Sequence, residues 1–384
     1  METYDIIIVG GGPAGSTCAW QLKKAGLNIM VLDKEVFPRH KVCAGWITPA
    51  VLASLEVDFE DYAKEHIIQP ITSFITAIIG GKEIRTEYKS IVSYGILRSE
   101  FDHFLLKRAG VRTEQGISFD KMEREGVDWI VNGKYRAPLI VGAAGHFCPV
   151  AKVLGAKFGI KEAAVKAQEV EFLMNEEQVA KCVVSANTPE LFFCPDMTGY
   201  GWIFRKGDYL NIGLGRQDHR SLKKHVNHFV DNLVQQGKIP TDISEKFLGH
   251  AYLLYGETPR KIIDEGVLLI GDAAGLAYPQ SGEGIRPAIE SGLIAAQAIV
   301  AANKNYNLAG LQGYANALTK RLGRRGPQTI NAITAPLFPY VKEHIAPKII
   351  HFVGKKILSN GWASRHIVID RWFLHNNQPA LIAD

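Results

Sequence analysis

The sequence predicts an α/β fold: a Rossmann-type domain, interrupted by an inserted antiparallel β-sheet domain and followed by a helical C-terminal tail. Three observations lead there. A buried apolar strand runs straight into a glycine-rich turn and a helix near the start of the chain. A second strand–turn–helix unit, Val267 to Ala301, returns late in the chain. Between them, residues 166–216 alternate apolar and polar side chains, the period-two pattern of strands with one face buried. Because α/β pieces flank β-rich pieces, the Rossmann-type domain is expected to be discontinuous, over residues 1–70, 95–162 and 255–318. Residues 71–94 and 163–254 are assigned to the inserted domain, and 319–384 to the tail.

Taken in order, the elements begin with an apolar strand, Asp5 to Val9, and the turn Gly10-Gly11-Gly12-Pro13-Ala14-Gly15. A helical pattern follows from Ala14 to Ala25, with Gly26 placed to cap it in the left-handed conformation. A second strand, Asn28 to Leu32, ends at Asp33. Residues 71–79 and 84–93 form a hairpin around Gly80-Gly81-Lys82. Arg98 to Arg108 is helical, and Leu139 to Val141 is a short buried strand closed by Gly142-Ala143-Ala144-Gly145. Val267 to Ile270 is another buried strand, and Pro287 to Ala301 a helix of small residues.

Composition limits the partners. With 47% hydrophobic and 22% charged residues, the chain is not of the disordered class. The net charge of +5 is uneven: from Lys320 onward ten Lys/Arg face only Glu343, Asp370 and Asp384. That asymmetry suits an anionic surface, a membrane rather than nucleic acid, or simply a basic face. The five cysteines are scattered, without metal-ligand spacing, so neither a disulfide framework nor a metal site is expected. No apolar run reaches the ~18 residues of a spanning helix, and the N-terminus lacks the pattern of a signal peptide. The expected setting is cytoplasmic, with peripheral contact at the inner membrane surface left open.

The first turn assigns each residue a task. Gly10 allows the tight turn, Gly12 lets the backbone approach a pyrophosphate, and Gly15 lets helix and strand pack closely. Pro13 and Ala14 open the helix, whose free N–H groups face the phosphates. Asp33, 23 residues after Gly10, is placed to accept from ribose hydroxyls, with Lys34 beside it. This unit alone does not separate NAD from FAD.

The late unit, Gly271-Asp272-Ala273-Ala274-Gly275, continues through Pro279 and Gly282-Glu283-Gly284-Ile285 to Ser291-Gly292. With it the chain resembles the two-dinucleotide-fold flavoproteins related to aromatic hydroxylases, and within them the geranylgeranyl reductase group, over most of residues 1–310. By this resemblance the cofactor is FAD. Gly271 and Asp272 meet the ribityl chain, while Gly282, Gly284 and Ile285 flank the pyrimidine edge. Arg98 matches an arginine near the cofactor. The inserted sheet becomes the substrate domain.

Three segments resemble the reductases more than their hydroxylase and halogenase cousins. The first is Pro38-Arg39-His40-Lys41-Val42-Cys43-Ala44-Gly45-Trp46, where the resemblance implies that Arg39, Cys43 and Ala44 adjoin the cofactor. The second is Gly199-Tyr200-Gly201-Trp202-Ile203-Phe204-Arg205-Lys206-Gly207, and the third the Gly282–Ile285 turn with Ser291-Gly292. Tyr200, Trp202 and Phe204 share one strand face by their spacing. Cys43, Tyr200 and Trp202 are the catalytic candidates, Cys43 as proton donor or pocket-shaping residue.

Two departures stand out: Ala144 replaces the family's Asp, and Arg205 follows Phe204 where a proline is expected. The implied reaction is reduction of C=C bonds in an isoprenoid, lipid or other apolar substrate, with NAD(P)H or a small redox protein as electron donor. The alternatives are an FAD monooxygenase and a flavin carrier without turnover. In the tail, residues 341–358 set Val341, Ile345, Ile349, Phe352 and Ile357 against Lys342, Lys348, Lys355 and Lys356, with Pro347 bending the helix. Such a helix lies in a membrane interface or packs on the enzyme body.

Overall fold

A computed structural model describes residues 1–159, 162–217, 221–243, 245–323 and 354–382. Among these, the Rossmann-type domain holds a six-stranded sheet. Its order is Ile263–Asp264, Val267–Leu269, Leu139–Gly142, Ile6–Val9, Ile29–Asp33 and Arg112–Gln115. All neighbours are parallel except the first pair. The central strands are buried on both faces, which is why they read as unbroken apolar runs. Helix Pro13–Lys24 crosses from Ile6–Val9 to Ile29–Asp33, and helix Ile285–Ala301 packs against it. A Cβ on Gly15 would stand 1.9 Å from the Gly10 carbonyl oxygen, and one on Gly292 2.6 Å from that of Ala14. Both contacts require glycine. Strand Ile6–Val9 lies between neighbours wound in opposite directions, so a crevice opens at its carboxyl end.

The inserted domain is a seven-stranded sheet in the order Leu248–Leu253, Ala164–Leu173, Tyr209–Arg216, Gly199–Lys206, Glu190–Phe193, Ser73–Ile78 and Ile84–Glu87. It is antiparallel apart from one pair, Glu190–Phe193 with Ser73–Ile78. A parallel pair needs a long crossover, and the chain between residues 78 and 190 supplies one through the other domain. The sequence-predicted hairpin forms, but its second arm divides. Residues Ser93–Ile96 leave to pair with Trp46–Ile47 and Ile68–Ile71 in a three-stranded sheet.

A four-stranded sheet and a helix are among the elements with no counterpart in the sequence reading. Met122–Glu125, Asp128–Val131 and Tyr135–Ala137 join Glu2–Thr3 in a four-stranded sheet. Helix Leu222–Gln235 covers the outer face of the inserted sheet through Val226, Phe229 and Leu233. After helix Leu308–Leu322, the described tail resumes at residue 354 and includes a π-helical stretch, Ser364–Phe373. Residues 341–353 of the amphipathic segment lie outside the described residues. No helix among the described residues is long and apolar enough to cross a membrane.

Candidate functional site

A cavity of about 820 Å³ runs from the first glycine turn to the face of the inserted sheet. At one end, helix Pro13–Lys24 starts with no side-chain cap and no acid in its first turn, leaving its N–H groups free for an anion. A Cβ on Gly12 would enter the cavity and meet only Arg39 Nη2, at 3.6 Å. Among the described residues Arg39 Nη1 is buried without a protein partner. The Asp33 carboxylate accepts from Gly11 N–H at 2.6 Å and from Glu35 N–H at 2.9 Å, so it fixes the turn and still lines the cavity. Lys34 is exposed at the rim, 3.6 Å from Glu35.

In the middle, charges gather. Arg98 Nε and Nη2 donate to the two oxygens of Asp102 at 2.8 and 2.7 Å, and Arg39 Nη2 lies 3.0 Å from the same carboxylate. Burial disfavours charge on Arg98, yet Asp102 and Cys43 raise it above its ordinary value. Burial also acts against ionisation of Asp102, but Arg98, Arg39 and Lys41 hold it below the usual carboxylate range. Lys41 Nζ lies 3.0 Å from His250 Nδ1, and His250 Nε2 is 3.5 Å from Asp272. Burial and Arg98 push the Lys41 ammonium down to about 8. Burial and Lys41 lower His250. Asp272 resists its own burial because His250, Lys41 and Arg98 keep it ionised.

Helix Ile285–Ala301 begins at Gly284, where a Cβ would meet Asp272 Oδ1 at 3.2 Å. The helix N-terminus and the Asp272 carboxylate therefore face one space. Beyond it the wall turns apolar. Tyr200, Trp202 and Phe204 line the cavity from one strand face, with Trp46, Leu191 and Phe373 around them. The polar hydrogens of two of these rings are committed. Tyr200 donates to the Ser281 carbonyl at 2.5 Å, and Trp202 Nε1 to Asn211 Oδ1 at 2.7 Å. Burial raises Tyr200 well above its ordinary value, so it stays neutral. Cys43 is half-buried on the cavity wall, its Sγ accepting from Gly45 N–H at 3.4 Å.

A family model described as FAD dependent oxidoreductase matches residues 5–83. An uncharacterised protein of Methanosarcina barkeri is 30% identical over 316 residues, 79% of this chain and 76% of its own. A digeranylgeranylglycerophospholipid reductase of Methanocaldococcus jannaschii is 25% identical over 317 residues, 77% of this chain and 76% of its own. The chain belongs to the geranylgeranyl reductase family of FAD-dependent oxidoreductases. A geranylgeranyl bacteriochlorophyll reductase-like protein of Thermoplasma acidophilum shares the fold, with a TM-score of 0.73 at 20% identity, covering 100% of this chain and 94% of that one. FAD fits the cavity of this family member. The open space at Gly12 and the unpartnered Arg39 Nη1 suit a pyrophosphate, and the Asp272–Gly284 corner suits the ribityl chain and flavin edge.

Of the sequence-predicted residues, Gly10, Gly12, Pro13, Ala14, Asp33, Lys34, Arg39, Cys43, Ala44, Arg98, Tyr200, Trp202, Asp272, Gly282, Gly284 and Ile285 line the cavity together. Gly15, Gly271 and Pro279 do not. Gly15 and Gly271 are packing glycines: a Cβ on Gly271 would stand 2.9 Å from that of Ala14. The sequence reading missed Lys41 and His250 as a pair, Asp102, and Phe373. Asp102 had a signal, its i,i+4 spacing from Arg98 on one helix. His250 had none, because strand register alone brings it opposite Ala167.

Proposed function

We propose that this enzyme reduces C=C bonds in an isoprenoid chain carried on a lipid. The observation that carries the reading is continuity: the apolar arm lined by Trp46, Leu191, Trp202, Phe204 and Phe373 opens directly from the Asp272–Gly284 corner. A prenyl chain offers no polar handle, so shape and dryness must hold it. The names of the relatives support the same class of substrate.

Bound FAD, once reduced, supplies a hydride to one carbon of the double bond. The chain supplies position and the balancing proton. Tyr200 and Trp202 serve as walls, their hydrogens already donated to Ser281 and Asn211. Cys43 lines the cavity, and its thiol is proposed to deliver the proton to the second carbon. Electrons reach the site from NAD(P)H or a small redox protein.

The test is chemically reduced, FAD-loaded enzyme with a geranylgeranyl-bearing lipid, followed by mass spectrometry with and without oxygen. A product gaining two hydrogens anaerobically is expected. A product gaining an oxygen atom, only in air, would replace this reading with a monooxygenase.

A further inference from the structure

The inserted sheet meets the Cys43 turn through a polar patch in an otherwise apolar wall. Glu169, Asn211 and Lys206 are fully buried there. They come from three strands, Ala164–Leu173, Tyr209–Arg216 and Gly199–Lys206, that register side by side, with Val170 opposite Ile212 and Phe204 opposite Asn211. Asn211 Nδ2 shares its two hydrogens among three acceptors, the Cys43 carbonyl at 3.0 Å, Glu169 Oε1 at 2.8 Å and Glu171 Oε1 at 3.1 Å. Its Oδ1 receives the Trp202 indole N–H. The Cys43 backbone also lies close enough to the Glu169 carboxyl to favour its ionised form. Lys206 Nζ donates to Glu171 and, at 2.9 Å, to the Ile96 carbonyl. A Cβ on Gly45 would stand 2.6 Å from that Nζ. The Cys43 main chain is therefore tied to a side chain of the inserted sheet through its carbonyl.

We propose that Glu169 and Asn211 are positioning residues that clamp the Cys43 main chain to the inserted sheet and so set where its thiol stands in the cavity. The inference deepens the proposed function by assigning the support of its proton donor. A buried polar network is costly to assemble and is tolerated when its members are satisfied. One atom here is not: among the described residues Glu169 Oε2 is buried without a partner. An ionised carboxylate with a bare buried oxygen is disfavoured, and the groups facing it settle the balance. Burial and Glu171 push Glu169 up to about 8, against Lys206, the Cys43 backbone and Asn211. Glu169 is thus a neutral acid at pH 7, and Lys206 is already engaged by Glu171 and Ile96. Above about pH 8 its ionisation places a negative charge beside Cys43.

The experiment measures iodoacetamide modification of Cys43 in the FAD-loaded protein without substrate, read on the Cys43 peptide by mass spectrometry. No turnover is involved, so its failure is distinct from failure of the proposed reaction. Asn211→Ala and Glu169→Ala should change the rate at neutral pH roughly fivefold, the worth of one lost hydrogen bond. Glu169→Gln, which keeps a neutral group of the same shape, should match the wild type at neutral pH. Above about pH 8 it should react faster than the wild type, where Glu169 becomes charged. Wild-type rates in Asn211→Ala, or a Glu169→Gln rate at neutral pH as altered as that of Glu169→Ala, would overturn the clamp. If Glu169→Ala does not fold, Asn211→Ala and Glu169→Gln decide the matter.

Discussion

The ring of Phe373 stacks on the indole of Trp46, with centroids 5.2 Å apart and planes at 11°. Phe373 also meets Tyr200 edge-on at 5.5 Å, so one side chain of the tail closes the apolar arm against two cavity walls. The tail is held there by Tyr88 donating to Asp370 at 2.6 Å and by Arg286 donating to the Gln378 and Pro379 carbonyls. Phe373→Ala should cost about 3 kcal/mol of stability through the void it leaves. It should raise KM for an isoprenoid substrate roughly tenfold while FAD retention is unchanged. Steady-state kinetics beside the flavin absorbance of the purified variant checks this. Loss of flavin with unchanged KM would mean that Phe373 serves the cofactor instead.

Gly12 gives a cleaner separation of fold from cofactor. Its Cβ direction points into open cavity, and the nearest atom, Arg39 Nη2, ends a flexible side chain. Gly12→Val should therefore leave the apo protein's melting temperature close to that of the wild type. It should abolish FAD retention by filling the approach to the pyrophosphate. Gly15→Val differs, because its Cβ would overlap the Gly10 carbonyl oxygen at 1.9 Å and the helix could not pack. Full flavin occupancy in Gly12→Val would refute the placement of the pyrophosphate at this turn.

The contrast between these glycines marks what sequence can convey. The turn at residues 10–15 was legible because its chemistry is local, and the strands around it because double-faced burial writes an unbroken apolar run. Met122–Glu125 was not legible: its residues are half-exposed or exposed and mostly charged, so it carries no buried face to read. Helix Leu222–Gln235 does carry a stripe, Val226, Phe229 and Leu233, but it is three residues long and lies just past the alternating stretch of residues 166–216. In the site, Asp33 and Asp272 follow from motif spacing. The Asn211–Glu169 contact joins residues 42 apart through strand register, and no local pattern announces register. Phe373 reaches the cavity only because the tail folds back, which composition cannot express.

Asp102 should be the most damaging single charge to remove. It is fully buried and accepts from Arg98 through both oxygens, with Arg39 3.0 Å away. Asp102→Ala would leave two guanidinium groups without their carboxylate, at a cost of about 3–5 kcal/mol. Because Arg39 and Arg98 both line the cavity, FAD affinity should fall as well. Urea unfolding and flavin titration of the variant measure the two effects separately. A change of less than about 1 kcal/mol would place this cluster with exposed ion pairs, which contribute little.

His146 should govern acid sensitivity. It is buried, with Arg260 Nη2 3.3 Å from its Nδ1 and Glu162 3.8 Å from its Nε2. Burial and Arg260 push its pKa down to about 4, against smaller opposing effects of Glu162 and Asp272 and a further lowering by His250. The folded protein therefore keeps His146 neutral where an unfolded chain, with a value of about 6.5, takes up a proton. Proton uptake by the unfolded state alone lowers stability, so the loss runs from about pH 6.5 down to about 4. Below that both states are protonated and the effect stops growing. The consequence reaches the site, because Arg260 also donates to the Ala273 carbonyl at 3.0 Å, in the turn that carries Asp272. Melting curves of the wild type should fall more steeply between those pH values than those of His146→Gln, which cannot titrate. Parallel curves would show that His146 is not the group responsible and that the loss belongs to the carboxylates.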